Sequence, residues 1–319
     1  MQLMSSQISL GILIIQSRNQ NVRLKKSVVV SKRVRKIVHS AVEHRTRIFH
    51  NENQKILGLL MSEQSRLLQF EESVRYAKNL QDVLLTPESK LLEYIPQSFL
   101  LSQPRDVLTG DFVWINKLHH KIIIAVGDCT GHGIPGALMS VLGVSIFNQI
   151  ILDERTIDPS EILNKLDDRI YSSLQGGALN RNSYDGMDVG VIVIDKMEQN
   201  VMFAGAKRNL IVMSGRQLTE VKGARFPIGG LRLETKRHYP THVISCSPND
   251  SFYLHTDGFV DQFGGPNDKK LGTKRFKKLI EIAHEEKLYN QKVLFQELFN
   301  RWKGATEQTD DATLLAFRC

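Results

Sequence analysis

The chain has 319 residues, 41 % hydrophobic and 24 % charged, enough for one large core or for a catalytic domain with an accessory segment. Its net charge of +8 is uneven: residues 1–50 carry ten Lys or Arg against one acid, Glu43, so the other 269 residues sum to −1. The basicity belongs to an N-terminal arm, which argues against a nucleic-acid-binding body.

Taken in chain order, the first compact apolar run is Ile8–Ile15, far short of the ~20 residues a membrane-spanning helix needs. No basic segment precedes it, as one would in a signal peptide. Arg18, Arg23, Lys25, Lys26, Lys32 and Arg33 follow it, the arrangement expected on the cytoplasmic side of a membrane. Residues 1–34 are therefore read as a basic arm, either soluble and amphipathic or resting against the inner face of a membrane. From about Arg35 to Leu85 there is no proline and only Gly58. Seven-residue spacing links Val42, Phe49, Ile56, Phe70, Ala77 and Leu84, broken by Glu63, with Leu60, Leu67 and Val74 as a companion row. Two such rows describe a coiled-coil seam able to pair two copies of the chain. A single long helix packed on its own domain fits equally well, since His39, Thr46 and Asn53 make the early heptads polar. Pro87 disfavours helix at Thr86 and should end the segment, so residues 35–86 are read as a helical or coiled-coil linker.

PESKLLEYIPQSFLLSQPRD reads as a connection into a domain spanning 87–319. Candidate strands there are Lys121–Gly127, Val189–Asp195, Val201–Ala204, Asn209–Met213, Ser251–His255 and Ala312–Arg318, each short, apolar and bounded by turn residues. Helices are expected from about Ile134 to Ile151, from Asp158-Pro159 with Glu161 completing a capped first turn, from Thr273 to Lys287 and from Asn290 to Trp302. Hairpin-like pairs such as VGVIVIDKMEQNVMFAGA imply antiparallel sheet in an α+β fold. Cys129, Cys246 and Cys319 are too few for a disulfide framework and fit a reducing, cytoplasmic compartment.

Four segments place aspartate at the edge of a strand or turn: TGDF (Asp111), VGDCTG (Asp128), HTDGF (Asp257) and QTDDATLL (Asp310 and Asp311). Any one alone is ordinary turn chemistry. Four together need positive charge between them, and an oxygen-rich, nitrogen-poor set suits Mg²⁺ or Mn²⁺. No cysteine lies in a CxxxxxR-like phosphate loop, and there is no GxSxG elbow or GxxxxGK[ST] loop.

TGDFVWI, AVGDCTGHGIPGALMS, FPIGG, FYLHTDGFVDQFGG and QTDDATLLAF occur in the order and approximate spacing of the SpoIIE-type protein phosphatases, which are PPM, or PP2C-like, metal-dependent Ser/Thr phosphatases. The resemblance covers about residues 70–319, from the approach helix EESVRYAKNLQDVLL onward. YDGMDVGVIVID and FAGAKRNLIVM also resemble variants attached to sensory or coiled-coil modules. It implies an αββα sandwich of two antiparallel sheets with helices outside and a centre for two Mn²⁺ or Mg²⁺ ions at one end, where a shared water becomes the nucleophile. Asp128 would bridge the ions, the Cys129 backbone carbonyl would contact one, Asp257 and Asp310 would complete the ligands, and Asp111 would act through the metal shell or a bound water. Asp311 is held in reserve, because adjacent acids leave the ligand ambiguous. Gly133, Ile134, Pro135, Gly136, Ala137, Leu138, Met139 and Ser140 would form a regulatory switch helix. Where many members have glycine, this chain has Cys129, tolerable at negative φ and strained at positive φ. Eukaryotic relatives carry histidine at the position of Thr130, so no general acid is assigned; His132 is expected to make a helix-start hydrogen bond. Arg105 is a candidate phosphate contact, with a surface ion pair as the plainer alternative. The expected activity is hydrolysis of phosphoserine or phosphothreonine in a phosphorylated protein, such as an anti-sigma-factor antagonist, under control of the N-terminal helix. The alternative is an inactive coiled-coil scaffold that keeps the fold.

Overall fold

The computed structural model describes residues 2–175, 185–230 and 237–319. The side chains of the Ile8–Ile15 run, and Tyr184, lie outside the described residues. The chain divides into two compact units, Met1–Glu71 and Glu72–Cys319.

The first unit is helix α1 (Gln2–Leu84) as far as Glu71. With no proline and one glycine, nothing in it interrupts the backbone ladder. Val42, Phe49, Ile56, Leu60, Leu67 and Phe70 are all exposed on it, so the heptad rows have no partner within the unit.

The second unit takes in the last turns of α1, a segment that the sequence assigned to the linker before residue 87. It continues with α2 (Glu88–Tyr94), β1 (Ser98–Gln103), β2 (Asp111–Leu118), β3 (Lys121–Cys129) and α3 (Gly133–Phe147), which runs into a π-turn at Asn148–Asp153. Then come α4 (Pro159–Gln175), β4 (Gly186–Asp195), β5 (Asn200–Ala206), β6 (Leu210–Ser214), β7 (Gln217–Val221), β8 (Ile228–Gly229), β9 (His242–Ser245) and β10 (Ser251–His255). The chain ends with α5 (Asp257–Asp261), a short β11–β12 hairpin (Phe263–Gly264, Lys269–Lys270), α6 (Thr273–Ala283), α7 (Leu288–Lys303) and β13 (Ala312–Arg318). As its sequence suggests, α4 starts at Pro159, and Asp158 Oδ1 accepts the Glu161 amide at 2.9 Å.

The strands form two antiparallel sheets, ordered β1-β13-β10-β6-β7 and β2-β3-β4-β5-β9, with β8 paired to β4. Side-chain alternation sorts the core into layers. On β3, Ile122, Ile124 and Val126 point between the sheets and meet Leu254, Leu315 and Phe317. Ile123, Ala125 and Cys129 point outward to Phe147, Ile162 and Leu166 of α3 and α4. On the far side, Phe99, Tyr253 and Ala316 pack under Phe276, Phe295 and Phe299 of α6 and α7. The second unit is therefore an α+β, helix–sheet–sheet–helix sandwich.

Two expectations need correction. The stretch read as a connection after Pro87 forms α2 and β1, and β2, β7 and β9 are further strands the pattern did not mark. All four, β1, β2, β7 and β9, are edge strands, which hydrogen-bond on one side only and tolerate polar interruptions. Cys246 and Cys319, which with Cys129 are too few to suggest a disulfide framework, are paired as a disulfide with their Cα atoms 6.3 Å apart. They are separated by 73 positions and meet because the segment after β9 and the end of β13 reach the same place, at the opposite end of β13 from Asp310 and Asp311.

Candidate metal centre

Three aspartates stand in one row across neighbouring strands. The ladder pairs Asp111 of β2 with Asp128 of β3, and Asp128 with Asp188 of β4. Each shares the face of its strand that points between the sheets: Val113 and Ile115, Val126 and Ile124, Ile192 and Ile194 are the apolar neighbours farther in. At this end of the sandwich the hydrocarbon filling gives way to carboxylates. Asp257, following β10, and Asp310–Asp311, preceding β13, supply the opposing sheet. These two segments touch: a Cβ on Gly258 would lie 1.9 Å from the Asp311 carbonyl oxygen.

Like charges directly opposite on a ladder repel, and burial deepens the cost. Asp111 is buried, and that burial holds its carboxyl well above the usual range despite hydrogen bonding to Thr313 and Thr256. Thr256 Oγ1 donates to Asp111 Oδ2 at 2.8 Å, whereas Asp111 Oδ1 is buried with no hydrogen-bond partner among the described residues. Asp128 is also raised, first by burial and then by Asp111, with Arg208 opposing. Burial raises Asp188 and Asp310. Burial also acts to raise Asp257, but Arg208 and Asp128 outweigh it and leave the carboxyl below its ordinary value.

Arg208 stands among these groups. It occupies the crossing between β5 and β6, where the chain leaves one sheet for the other. Its Nη2 is hydrogen-bonded to Asp128 Oδ2 and lies 3.7 Å from Asp257 Oδ1 and 3.9 Å from Asp188 Oδ2.

Of the adjacent acids, Asp311 is committed to the backbone. Its two oxygens accept the amides of Arg105 and Gly110, each at 2.7 Å, and so tie the loop before β2 to the start of β13. Asp310 is half-buried, and among the described residues its carboxylate accepts the Asp311 amide alone, at 2.9 Å, which leaves it the better placed for a ligand. Cys129 ends β3 without left-handed backbone, so its replacement of glycine brings no strain. Its side chain faces the outer helices, away from Asp128, and burial together with the nearby aspartates pushes the thiol up.

Thr130 is occupied by Gly186, whose carbonyl accepts from Oγ1 at 3.1 Å and whose amide donates back at 3.2 Å. His132 immediately precedes α3 and contacts Asp106 Oδ2 through Nδ1 at 3.0 Å. The exposed Arg105 guanidinium donates to the Thr309 carbonyl at 3.0 Å, not to a carboxylate. The segment Gly133–Ser140 is the first half of α3; Ile134 and Leu138 are exposed, while Ser140 is buried. Gln81, in the last turn of α1, is buried beside it. Its Nε2 donates to the Thr109 carbonyl at 2.7 Å and to Ser140 Oγ at 3.1 Å, and Thr109 N donates to its Oε1 at 3.3 Å. One amide side chain thus joins α1, the approach to Asp111, and α3.

The family model for Stage II sporulation protein E (SpoIIE) matches residues 119–319. The chain belongs to the SpoIIE family. Among solved structures, the SiaA-PP2C domain of Pseudomonas aeruginosa is similar at 33 % identity, over 79 % of this chain and 97 % of that one, with a TM-score of 0.71. The PP2C phosphatase domain of SpoIIE from Bacillus subtilis, with a fragment of its regulatory domain, shares the fold at 16 % identity, covering 70 % of this chain and 61 % of that one (TM-score 0.56). The RsbU and RsbW domains of a Mycobacterium tuberculosis protein do so at 19 %, 70 % and 60 % (TM-score 0.55). A comparison with curated proteins gave no match.

Within this SpoIIE-family sandwich, Asp111, Asp128, Asp257 and Asp310 gather at one end. Sequence reasoning missed Asp188, Arg208 and Gln81. Asp188 and Arg208 lie in YDGMDVGVIVID and FAGAKRNLIVM, and an acid opening an apolar strand was the available signal for Asp188. Nothing local marks Arg208 or Gln81. As for a metal, the donor set is all carboxylate and carbonyl oxygen, and Asp111 Oδ1 lacks a partner, so the residue types fit a hard divalent ion. Among the described residues, no three His, Cys, Asp or Glu side chains already converge as a metal-holding group.

Proposed function

We propose that this SpoIIE-family protein is a metal-dependent phosphoserine/phosphothreonine phosphatase of bacterial signalling. The observation that carries the reading is the row Asp111–Asp128–Asp188 facing Asp257 and Asp310, with Asp111 Oδ1 buried and unpartnered. Such a cluster destabilises a protein unless cations complete it. The PP2C domain at 33 % identity supports the same reading.

Asp128, Asp257, Asp310, the Cys129 carbonyl and, through the shell, Asp111 would hold two Mn²⁺ or Mg²⁺ ions. Bound there, such ions supply Lewis acidity and a lowered water pKa for attack at phosphorus. The strand ends supply rigid placement, and Asp311 fixes the rim through two backbone amides. Cys129 faces the outer helices, so its thiol does not serve as nucleophile. The substrate is a phosphorylated protein, of which an anti-sigma-factor antagonist is the proposed type. Control passes along α1 to the start of α3, supported by the Gln81 contacts. Exposed heptad rows on α1 support a homodimer, and the basic arm supports a location in the cytoplasm at the inner face of a membrane, where the Cys246–Cys319 pair would be held reduced.

The test is release of phosphate from a phosphoprotein, or of p-nitrophenol from its phosphate, with Mn²⁺, Mg²⁺ or EDTA. Turnover should need the ion and disappear in Asp128→Asn with the fold intact; ion-independent turnover, or turnover retained in that variant, refutes the proposal.

A further inference from the structure

Asp128, Asp188 and Asp257 share a cation that belongs to the chain itself. Arg208 is 7 % exposed, and its guanidinium reaches all three carboxylates. The backbone beneath it is fixed. A Cβ on Gly205 or Gly223 would fall 2.1 Å or 2.3 Å from the Arg208 carbonyl oxygen. On either side, the Lys207 amide donates to the Ala224 carbonyl at 2.8 Å, and Asn209 Oδ1 accepts the Gly223 amide at 3.1 Å.

An arginine cannot lose its charge, so once buried it must be paired. The carboxylates in turn require a positive neighbour. Each need answers the other, yet the pairing is incomplete: among the described residues Arg208 Nε is buried with no hydrogen-bond partner, and Asp111 Oδ1 is likewise unmet. Charge, rather than a full set of hydrogen bonds, keeps the guanidinium there. A divalent ion approaching Asp128 either displaces Nη2 from Oδ2 or takes Oδ1, and in both cases it meets a positive charge a few ångströms away.

We infer that Arg208 is a resident counter-ion of the carboxylate cluster, one that competes with divalent cations for Asp128 and sets the affinity of the site for them. The inference rests on the metal-dependent reading above. Arg208 is thereby a positioning residue: it neutralises the carboxylate row and makes metal loading weaker than the donor set alone would give.

The test is Mn²⁺ titration of the full chain as wild type, Arg208→Gln and Arg208→Lys, reading free Mn²⁺ by electron paramagnetic resonance. Thermal melts in EDTA and in saturating Mn²⁺ accompany it. Removing one positive charge at this distance should tighten Mn²⁺ binding by about tenfold or more in Arg208→Gln. The same variant should melt lower in EDTA and gain more from Mn²⁺ than wild type does. Arg208→Lys, whose single ammonium spans fewer oxygens, should fall between them, and it decides the matter if Arg208→Gln does not fold. Unchanged or weaker Mn²⁺ binding in folded variants overturns the inference while leaving the metal site standing. Absence of Mn²⁺ binding in all three chains overturns the metal-dependent reading and this inference with it.

Discussion

Gly136 lies in the opening turns of α3, where the helix crosses the loop that follows Asp128. A Cβ placed there would sit 2.3 Å from the Gly131 carbonyl oxygen and 3.1 Å from the Gly110 Cα. In Gly136→Ala the backbone must therefore give way by about an ångström, because both obstacles are main chain rather than the end of a flexible side chain. Alanine is the better helix former by about 1 kcal/mol. Overpacking a tight contact costs about 1–3 kcal/mol. The clash should win, leaving a net loss of up to about 2 kcal/mol and a drop of a few degrees in Tm. Because the displaced loop leads directly from Asp128 and the Cys129 carbonyl, Mn²⁺-dependent turnover of p-nitrophenyl phosphate should fall further than the loss of stability accounts for. Gly58→Ala is the internal control: it sits on exposed α1 with nothing within 4 Å, so the same exchange should stabilise the helix. Paired melts and turnover assays decide. A Gly136→Ala protein as stable and as active as wild type would refute the reasoning that this glycine is kept for close approach.

Asp195 gives a pH prediction. Desolvation acts to raise its carboxyl, but the amides of Glu198 and Met197 and the Lys121 ammonium outweigh it and bring the value to about 2, from an ordinary 3.8. A depressed folded-state value contributes stability above the unfolded value and loses it as pH falls. The melting gap between wild type and Asp195→Asn should thus be full above pH 3.8 and close towards pH 2; a gap independent of pH counts against the assignment. Gln81→Leu leaves the Thr109 amide without its side-chain acceptor and the Thr109 carbonyl with only the 3.5 Å bond from Ser140 Oγ, and should cost roughly 2 kcal/mol in urea unfolding, where an unchanged midpoint would deny Gln81 that role. Truncation should respect the 71/72 division: residues 72–319 are expected to fold with near-wild-type melting, whereas 86–319 loses Gln81 and should be markedly less stable; equal stability of the two would show that the last turns of α1 contribute little.

What could be read from the sequence follows a physical divide. The six strands it marked, β3, β4, β5, β6, β10 and β13, are the interior strands of the two sheets. Interior strands bury both faces, so their apolar runs are nearly continuous and need no context to be seen. The edge strands β1, β2, β7 and β9 have a neighbour on one side only: β7 and β9 mix half-buried with exposed residues, and the apolar runs of β1 and β2 are short, FLL and FVWI. The acidic strand ends at Asp111, Asp128, Asp257 and Asp310 were legible for a related reason: a carboxylate where an apolar run stops is a local anomaly. Alternation even carried the direction of Cys129, one position past Asp128 and so on the opposite face.

Tertiary structure decided the rest, because the partners are far apart in the chain. Ladder register turned separate motifs into one row and added Asp188 to it. The crossing between the sheets delivered Arg208 to carboxylates 80 residues before it and some 50 after it. Folding likewise brought Gln81 to Ser140, and Cys246 to Cys319. A charge pattern along the chain records which groups are present. Which of them neutralise one another depends on distances that only the packed sandwich sets.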